Sequence, residues 1–358
     1  MRRFILNCNY GPSANVLLTA AVRDLHKLSP GQFQTDVRTD SPEIWLGNPY
    51  ISKLDDHDPD VVSMDCPPPS RSMEHGSFRL APGILQYFSV LPEVSIRPTI
   101  FRGDLHLSRK ERSWFSQIQE LTGVRIPFWL VSTSGGSKAS TRKWHPQRYQ
   151  AVIDEFRDRI LFVQVGTDKD DSEALSSVID LRGKTDLRQL VRLVHHAQGV
   201  LTSPNLLMHL AAALDTSNSA PNRACVVVAG GSQSFHWQRY PTHQFLHTVG
   251  ALPCCETTGC GRSLTHFVGE GPKFESPQDV CVDPLGDVPR CMDMLDTAAV
   301  TRAIQRYFDG GLLSYLSNEE ANVARQTIAA LNDRQDGTVW QESVNELQHA
   351  ATAARGYS

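Results

Sequence analysis

Short apolar runs with strand character alternate with segments of helical period along most of this chain, and that order restricts the fold more than any other feature. Phe4 to Tyr10 reads as a strand, and a Gly11-Pro12-Ser13 turn follows it. Val16, Leu17, Ala20, Ala21, Leu25 and Leu28 then recur at helical spacing. Phe33 to Thr39 and Val61 to Cys66 are the next strand-like runs, and a helix is expected near Gly83 to Leu91, beyond a Pro- and Ser-rich stretch. The segment from Ile96 to Leu107 carries Pro98 and Gly103 without helical period and reads as a connector. Ser108 then caps a helix that runs to Thr122 and is closed by Gly123.

Past the connector the alternation restarts. Strands are expected at Pro127 to Val131, Ile160 to Gly166, Val178 to Leu181, Gly199 to Thr202 and Ala224 to Ala229. Helices lie between them at Pro146 to Phe156, Thr185 to Ala197 and Leu206 to Leu214, and the tail is helical from Thr297, with two further amphipathic helices after Ser317. Strands joined by crossover helices build mainly parallel sheets covered on both faces. The expected fold class is therefore α/β, with two Rossmann-like doubly wound domains at residues 1–100 and 126–296. A connector and helix at 101–125 join them, and helices at 297–358 follow. In such sheets ligands bind outside the carboxyl ends of the strands, so a cleft between the two domains is the expected site.

Composition excludes several alternatives. A net charge of -4 argues against a general nucleic-acid binder, whose phosphate contacts need clustered Lys and Arg. No apolar run approaches the roughly 20 residues that span a bilayer. The first apolar stretch, interrupted by Asn7 and Asn9, is too short for a signal-peptide core, so a cytoplasmic location is expected. Of the eight cysteines, Cys8, Cys66 and Cys225 stand alone in strand-like runs, as small buried hydrophobes do, whereas Cys254, Cys255, Cys260, Cys281 and Cys291 cluster. In a reducing compartment such a cluster points to a metal more than to disulfides. Cys255, Cys260, Cys281 and Cys291 are the expected ligands of a structural zinc or iron, with Cys254 competing for the first place.

Three stretches of the second half carry a family resemblance: Lys143-Trp144-His145-Pro146, the run from Thr185-Asp186-Leu187 to Ala197, and Leu201 to Ala213 with His209 inside it. They resemble the corresponding segments of the bacterial heptosyltransferases. Cys260-Gly261-Arg262-Ser263 and Pro289-Arg290-Cys291 look similar to the four-cysteine iron finger of the autotransporter heptosyltransferase subgroup. The resemblance implies a GT-B glycosyltransferase that moves a sugar, ADP-heptose being the favoured donor, from a nucleotide diphosphate bound on the C-terminal domain. The acceptor would lie on the N-terminal domain: a glycan, a protein side chain, a nucleic acid or a small molecule. Assembly as a homo-oligomer fits the same picture.

On that reading Lys143 neutralises the departing diphosphate. Ser132, Thr133, Ser134, Gly135 and Gly136 form a small hydroxyl-rich loop that lets backbone N–H groups approach phosphate. Asn205 opens a helix whose N-terminus suits an anion, and His209 lies one turn along it. The chain departs from the family at two places. Pro204-Asn205-Leu206 stands where the family has Asp-Thr-Gly, and Asn15 stands where it has a carboxylate base. An amide orients a hydroxyl but takes no proton, so Asp65 or Asp104 would have to serve, and Asn15→Asp is expected to keep or raise activity. The alternative function is a non-catalytic sugar-nucleotide-binding or assembly subunit.

Overall fold

The computed structural model describes residues 1–66, 99–135, 139–167, 172–217, 223–233, 239–267 and 276–333. The Pro- and Ser-rich stretch, the helix expected near Gly83 to Leu91 and the second tail helix lie outside them. A first sheet comprises β1 (Arg2–Cys8), β2 (Phe33–Thr39) and β3 (Val61–Asp65), all parallel, in the order β2-β1-β3. Helix α1 (Gly11–Leu28) starts two residues after β1, so the expected Gly11-Pro12-Ser13 turn is the opening of the helix instead. Gly11, at a φ of 82°, permits the abrupt change of direction, and Pro12 fits a first turn whose N–H groups have no helical partner.

The connector holds two short helices where one was expected. They are α2 (Arg109–Arg112), with a Ser108–Glu111 capping box, and α3 (Gln117–Thr122), capped afresh by Ser116 and ended by Gly123. Two serines, Ser113 and Ser116, lie between the helices, and Ser116 accepts the N–H of Gln119 as a helix start.

The second sheet is larger: β4 (Phe128–Ser132), β5 (Leu161–Gln164), β6 (Ile179–Asp180), β7 (Gly199–Thr202), β8 (Ala224–Gly230) and β9 (Gln244–His247). Its order is β6-β5-β4-β7-β8-β9 with every pair parallel. The direction of winding thus reverses between β4 and β7, the topological switch point of a doubly wound sheet. Strand β9 escaped the sequence reading because its four residues are half-buried and two of them are polar. Helices α4 (Pro146–Phe156), α5 (Leu187–His196) and α6 (Leu206–Ala213) are the crossovers.

Strands β4, β5, β7 and β8 are buried throughout, and alternate residues serve two cores. Phe128, Leu130, Val163 and Val227 face α5 and α6, in a core that continues through Val16, Leu18 and Leu25 of α1 into the first sheet. Trp129, Val131, Phe162 and Val226 face α4 together with α7 (Arg290–Asp293) and α8 (Thr297–Asp309). A small hairpin of β10 (Pro284–Leu285) and β11 (Val288–Pro289) precedes α7, and α9 (Asn318–Asp333) packs against α3.

Arginines lock these parts together. Arg23 of α1, wholly buried beside Asp24, donates to the carbonyls of Ile100 (2.7 Å) and Arg102 (2.8 Å). Arg188 of α5 grips Glu111 through two bonds and also donates to the carbonyls of His106 (2.8 Å) and Glu43 (3.2 Å), so it spans the second sheet's helices, the connector and the first domain. Between α1 and α6 sits Gly103; a Cβ there would meet Val16 Cγ1 at 2.7 Å and Ala213 Cβ at 2.9 Å. Arg223 spends all its N–H groups on carbonyls at the carboxyl ends of α5 and α6, those of His195, Ala197, Ala211, Leu214 and Asp215. Burial pulls its pKa down to about 10, still cationic at neutral pH, and the two helix dipoles favour that charge. Arg223→Met, which keeps much of the bulk and removes the donors, is expected to lower unfolding free energy by about 3 kcal/mol or more. Urea unfolding of the purified variant checks this, and a loss within the error of the wild-type midpoint would contradict it.

Candidate functional site

At the β4–β7 switch point the chain makes a polar cradle. Asn205 caps α6, its Oδ1 accepting the N–H of Leu207 (3.0 Å) and the hydroxyl of Thr202 (3.0 Å). Its Nδ2 donates to Ser134 O (3.0 Å) and Ser132 Oγ (3.3 Å), and Ser203 Oγ also donates to Ser134 O (2.6 Å). Ser132, Ser134 and Asn205 are therefore one network that fixes the loop after β4 against the N-terminus of α6. The Thr133 hydroxyl is buried there without a hydrogen-bond partner among the described residues. Gly135 allows a close backbone approach, since a Cβ would stand 2.4 Å from Ala139 O. Gly136 lies outside the described residues.

Lys143 follows a one-turn 3-10 helix, Ser140–Arg142, and its N–H closes that turn on Ser140 O (3.0 Å). The next residue, Trp144, is buried against Tyr149 and donates its indole N–H to Leu295 O (2.9 Å). The tryptophan is thus an anchor under the outer core, and the lysine is the half-buried residue beside it. Arg142 reaches the other way, its Nη1 donating to Pro204 O (2.9 Å) at the mouth of α6.

His209 is turned inward. It is 5% exposed and its Nδ1 pairs with the hydroxyl of Tyr240 at 2.7 Å. Burial, with a contribution from the nearby Arg142 charge, pulls its pKa down to about 3, so the ring is neutral. Its Nδ1 is thus committed to Tyr240, a partner that lies 31 positions away and that no local motif announces, so any reach toward phosphate or sugar falls to Nε2.

The first sheet presents a second polar edge. Asn15 lies inside α1 rather than in a loop and is 0% exposed. Its Nδ2 donates to Cys8 O (3.1 Å), Gly11 O (3.0 Å) and Asp40 Oδ1 (3.3 Å), while its Oδ1 accepts from Thr39 (2.7 Å) and the Trp45 indole (2.9 Å). Every polar atom of the amide is committed, so it has none to orient an acceptor hydroxyl. Asp65, at the end of β3, is exposed and accepts the hydroxyl of Tyr10 (2.8 Å). Asp104 lies in the connector, its N–H donating to the Thr19 hydroxyl (2.8 Å). Burial pushes its carboxyl up, but the His106 hydrogen bond (2.9 Å) and the charges of His106, Arg23 and Lys27 bring it below the ordinary value. The sequence reading missed Asp40, an exposed carboxylate just past β2 that accepts the N–H of Gly11 (2.9 Å) and the hydroxyl of Ser41 (2.9 Å). Its position directly after a strand was the available signal.

The cysteine segment folds beside the second sheet. A small cavity of about 10 Å³ is lined by Cys254, Cys260, Cys281 and Cys291 with Thr141, Ser232 and Arg262. Cys255 turns toward Gly231 and Thr248, its Sγ 3.7 Å from Thr248 O. Burial raises the Cys254 pKa to about 11 and that of Cys291 to about 12, with neighbouring thiols adding to both. The donor set has the chemistry of a thiolate metal site, and the cavity has room for about one atom. No group of three or more ligand side chains is drawn together in metal-holding geometry among the described residues.

No helix among the described residues is long and apolar enough to cross a membrane. No curated protein matches the sequence. A model of glycosyltransferase family 9 (heptosyltransferase) matches residues 103–219. That span contains the connector from Gly103, Lys143, the switch-point loop and α6. Among solved structures the chain is similar to a family 9 glycosyl transferase from Veillonella parvula, with a TM-score of 0.56 and 13% identity over 86% of this chain and 98% of that one. It is similar to the ADP-heptose LPS heptosyltransferase II of E. coli, with a TM-score of 0.54 and 16% identity over 87% and 100%. It is also similar to the iron-containing dodecameric glycosyltransferase TibC from enterotoxigenic E. coli, with a TM-score of 0.57 and 15% identity over 86% and 76%. At such identities structural likeness establishes the fold, and the family match covers residues 103–219. The chain thus has the two-domain GT-B fold of the bacterial heptosyltransferase-like glycosyltransferases, and its residues 103–219 match glycosyltransferase family 9.

Proposed function

We propose that this protein transfers a sugar from a nucleotide-diphosphate donor, ADP-heptose by likeness to the heptosyltransferases, to an acceptor hydroxyl. The observation that carries the reading is the switch-point cradle: the loop Ser132 to Gly135, its Thr133 hydroxyl (unpartnered among the described residues) and the N-terminus of α6 converge where doubly wound sheets bind phosphates. Transfer is a direct displacement. The acceptor oxygen bonds to the anomeric carbon as the bond from that carbon to the diphosphate breaks, and the acceptor proton passes to a base. Asp65 is our candidate for that base, being the exposed carboxylate at the carboxyl end of β3. Lys143 and the N-terminal end of the α6 dipole stabilise the charge gathering on the diphosphate. The satisfied, interior Asn15 favours one second reading, a subunit that binds the donor without transferring it.

The cysteines would hold a zinc or iron ion through Cys260, Cys281 and Cys291 with Cys254 or Cys255. The bound ion would fasten residues 254–291 to the sheet and take no part in transfer. TibC, a structural neighbour, is an iron-containing protein.

Lys143→Ala is expected to lower kcat on the order of 10²-fold while changing donor KM much less, because the charge matters most as the diphosphate departs. Steady-state transfer assays with the accepted donor check this, and unchanged turnover would return Lys143 to an ordinary loop residue. For Asn15→Asp the contacts of the amide support an outcome opposite to the one expected from sequence. A carboxylate there would lose the bonds to two carbonyls and stand beside Asp40, so thermal stability and activity should fall together. A stable, more active Asn15→Asp protein would contradict that. Elemental analysis after reducing, chelator-free purification should find about one zinc or iron per chain; a metal-free, folded sample would refute the site.

A further inference from the structure

The turn that carries Lys143 is fastened to the cysteine segment at one short stretch, and both polar groups of one buried residue make the joint. Thr141 is 1% exposed; its hydroxyl donates to Arg262 O (2.7 Å) and its N–H donates to Ser263 O (3.2 Å). One residue earlier, Ser140 Oγ accepts the N–H of Thr265 (2.8 Å). The stretch 260–265 is itself held on two sides. Cys260 and Gly261 donate their N–H groups to Gly231 O (3.1 Å) and Ser232 O (2.9 Å) just past β8, and Cys281 donates its N–H to Leu264 O (2.7 Å). Arg262 adds bonds to the carbonyls of Pro277, Gln278 and Val280. A rigid path therefore runs from the end of β8 through residues 260–265 to Thr141, and from there to Lys143 two residues on.

We propose that Thr141 is a positioning residue for transfer: it sets the height of the Lys143 turn over the donor cradle, and residues 260–265 are the support it stands on. The inference rests on the reading of Lys143 as the cation that meets the departing diphosphate. Two features separate this role from general packing. Trp144 already buries the far side of the turn in the outer core, so Thr141 is not needed to keep the turn attached. Arg142 leans on Pro204 O at the N-terminus of α6, so a turn that shifts changes its distance from the anion site itself. A misplacement of about 1 Å in a catalytic group costs on the order of 10²-fold in rate, whereas a long flexible lysine recovers part of the loss.

The test compares wild type with Thr141→Val, Thr141→Ser and Lys143→Ala, using the nucleotide sugar that the wild type accepts. Valine keeps the shape and removes the hydroxyl bond. We expect Thr141→Val to lower kcat about tenfold with donor KM within about twofold, and Thr141→Ser to restore it. Acetic-anhydride labelling read by mass spectrometry should show Lys143 modified faster in the valine protein than in the wild type, without donor present. Should Thr141→Val fail to fold, Ser140→Ala, which removes the bond from Thr265, is expected to give the same kcat loss and faster labelling. If Lys143→Ala is slow but Thr141→Val has wild-type turnover and labelling, this inference is wrong and the role of Lys143 stands. If Lys143→Ala transfers at the wild-type rate, the reading beneath it fails and takes this one with it.

Discussion

Five carbonyl oxygens at the carboxyl ends of two helices converge on one guanidinium, that of Arg223, and the placement of the site depends on that convergence. A buried cation is costly unless its hydrogen bonds are all made, and here the negative ends of α5 and α6 supply both the acceptors and the favourable field. Helix α6 has only eight residues, a length of about 12 Å. Fixing its carboxyl end therefore fixes where its other end meets the β4–β7 switch point. Asn205 completes the connection there by bonding across to Ser132 and Ser134. The same short helix thus joins a structural clamp at one end to the polar cradle at the other.

The first domain is tied to this frame by the opposite use of arginine. Arg23 and Arg188 leave their own helices to hold backbone carbonyls of the connector, and Gly103 lets α1 and α6 approach to a separation that a methyl group would prevent. The inner core then runs without interruption from Phe4 and Leu6 through α1 to Leu207 and Leu210 of α6. Packing of this kind fixes the relation of the two sheets along their shared helices while leaving the carboxyl ends of the strands to carry polar residues.

The parts of this arrangement that follow from periodicity were legible in the sequence. The apolar runs of β4, β7 and β8 and the amphipathic helices between them state a parallel sheet, and Asn205 sits where a helix cap belongs. What was hidden depends on partners distant in sequence. Asn15 reads as a loop amide until Thr39, Asp40 and Trp45 close around it, and nothing local to His209 foretells that Tyr240 takes its Nδ1. The pair Cys254-Cys255 offers two adjacent thiols, and only the fold turns the first toward the cavity and the second toward Thr248. Thr141 carries no motif at all; the role proposed for it rests on two bonds to a stretch more than a hundred residues away.

Donor binding at the switch point is the claim on which the account rests, and a thermal-shift titration with a panel of nucleotide-diphosphate sugars tests it most directly. A ligand that binds only the folded chain raises Tm with the logarithm of its concentration. The account predicts such a rise for at least one nucleotide sugar, absent with the free nucleoside. The rise should be lost in Gly135→Ala, whose added methyl would crowd Ala139 O in the cradle. A folded wild-type protein whose Tm no nucleotide sugar moves, or a rise that Gly135→Ala leaves intact, would contradict it.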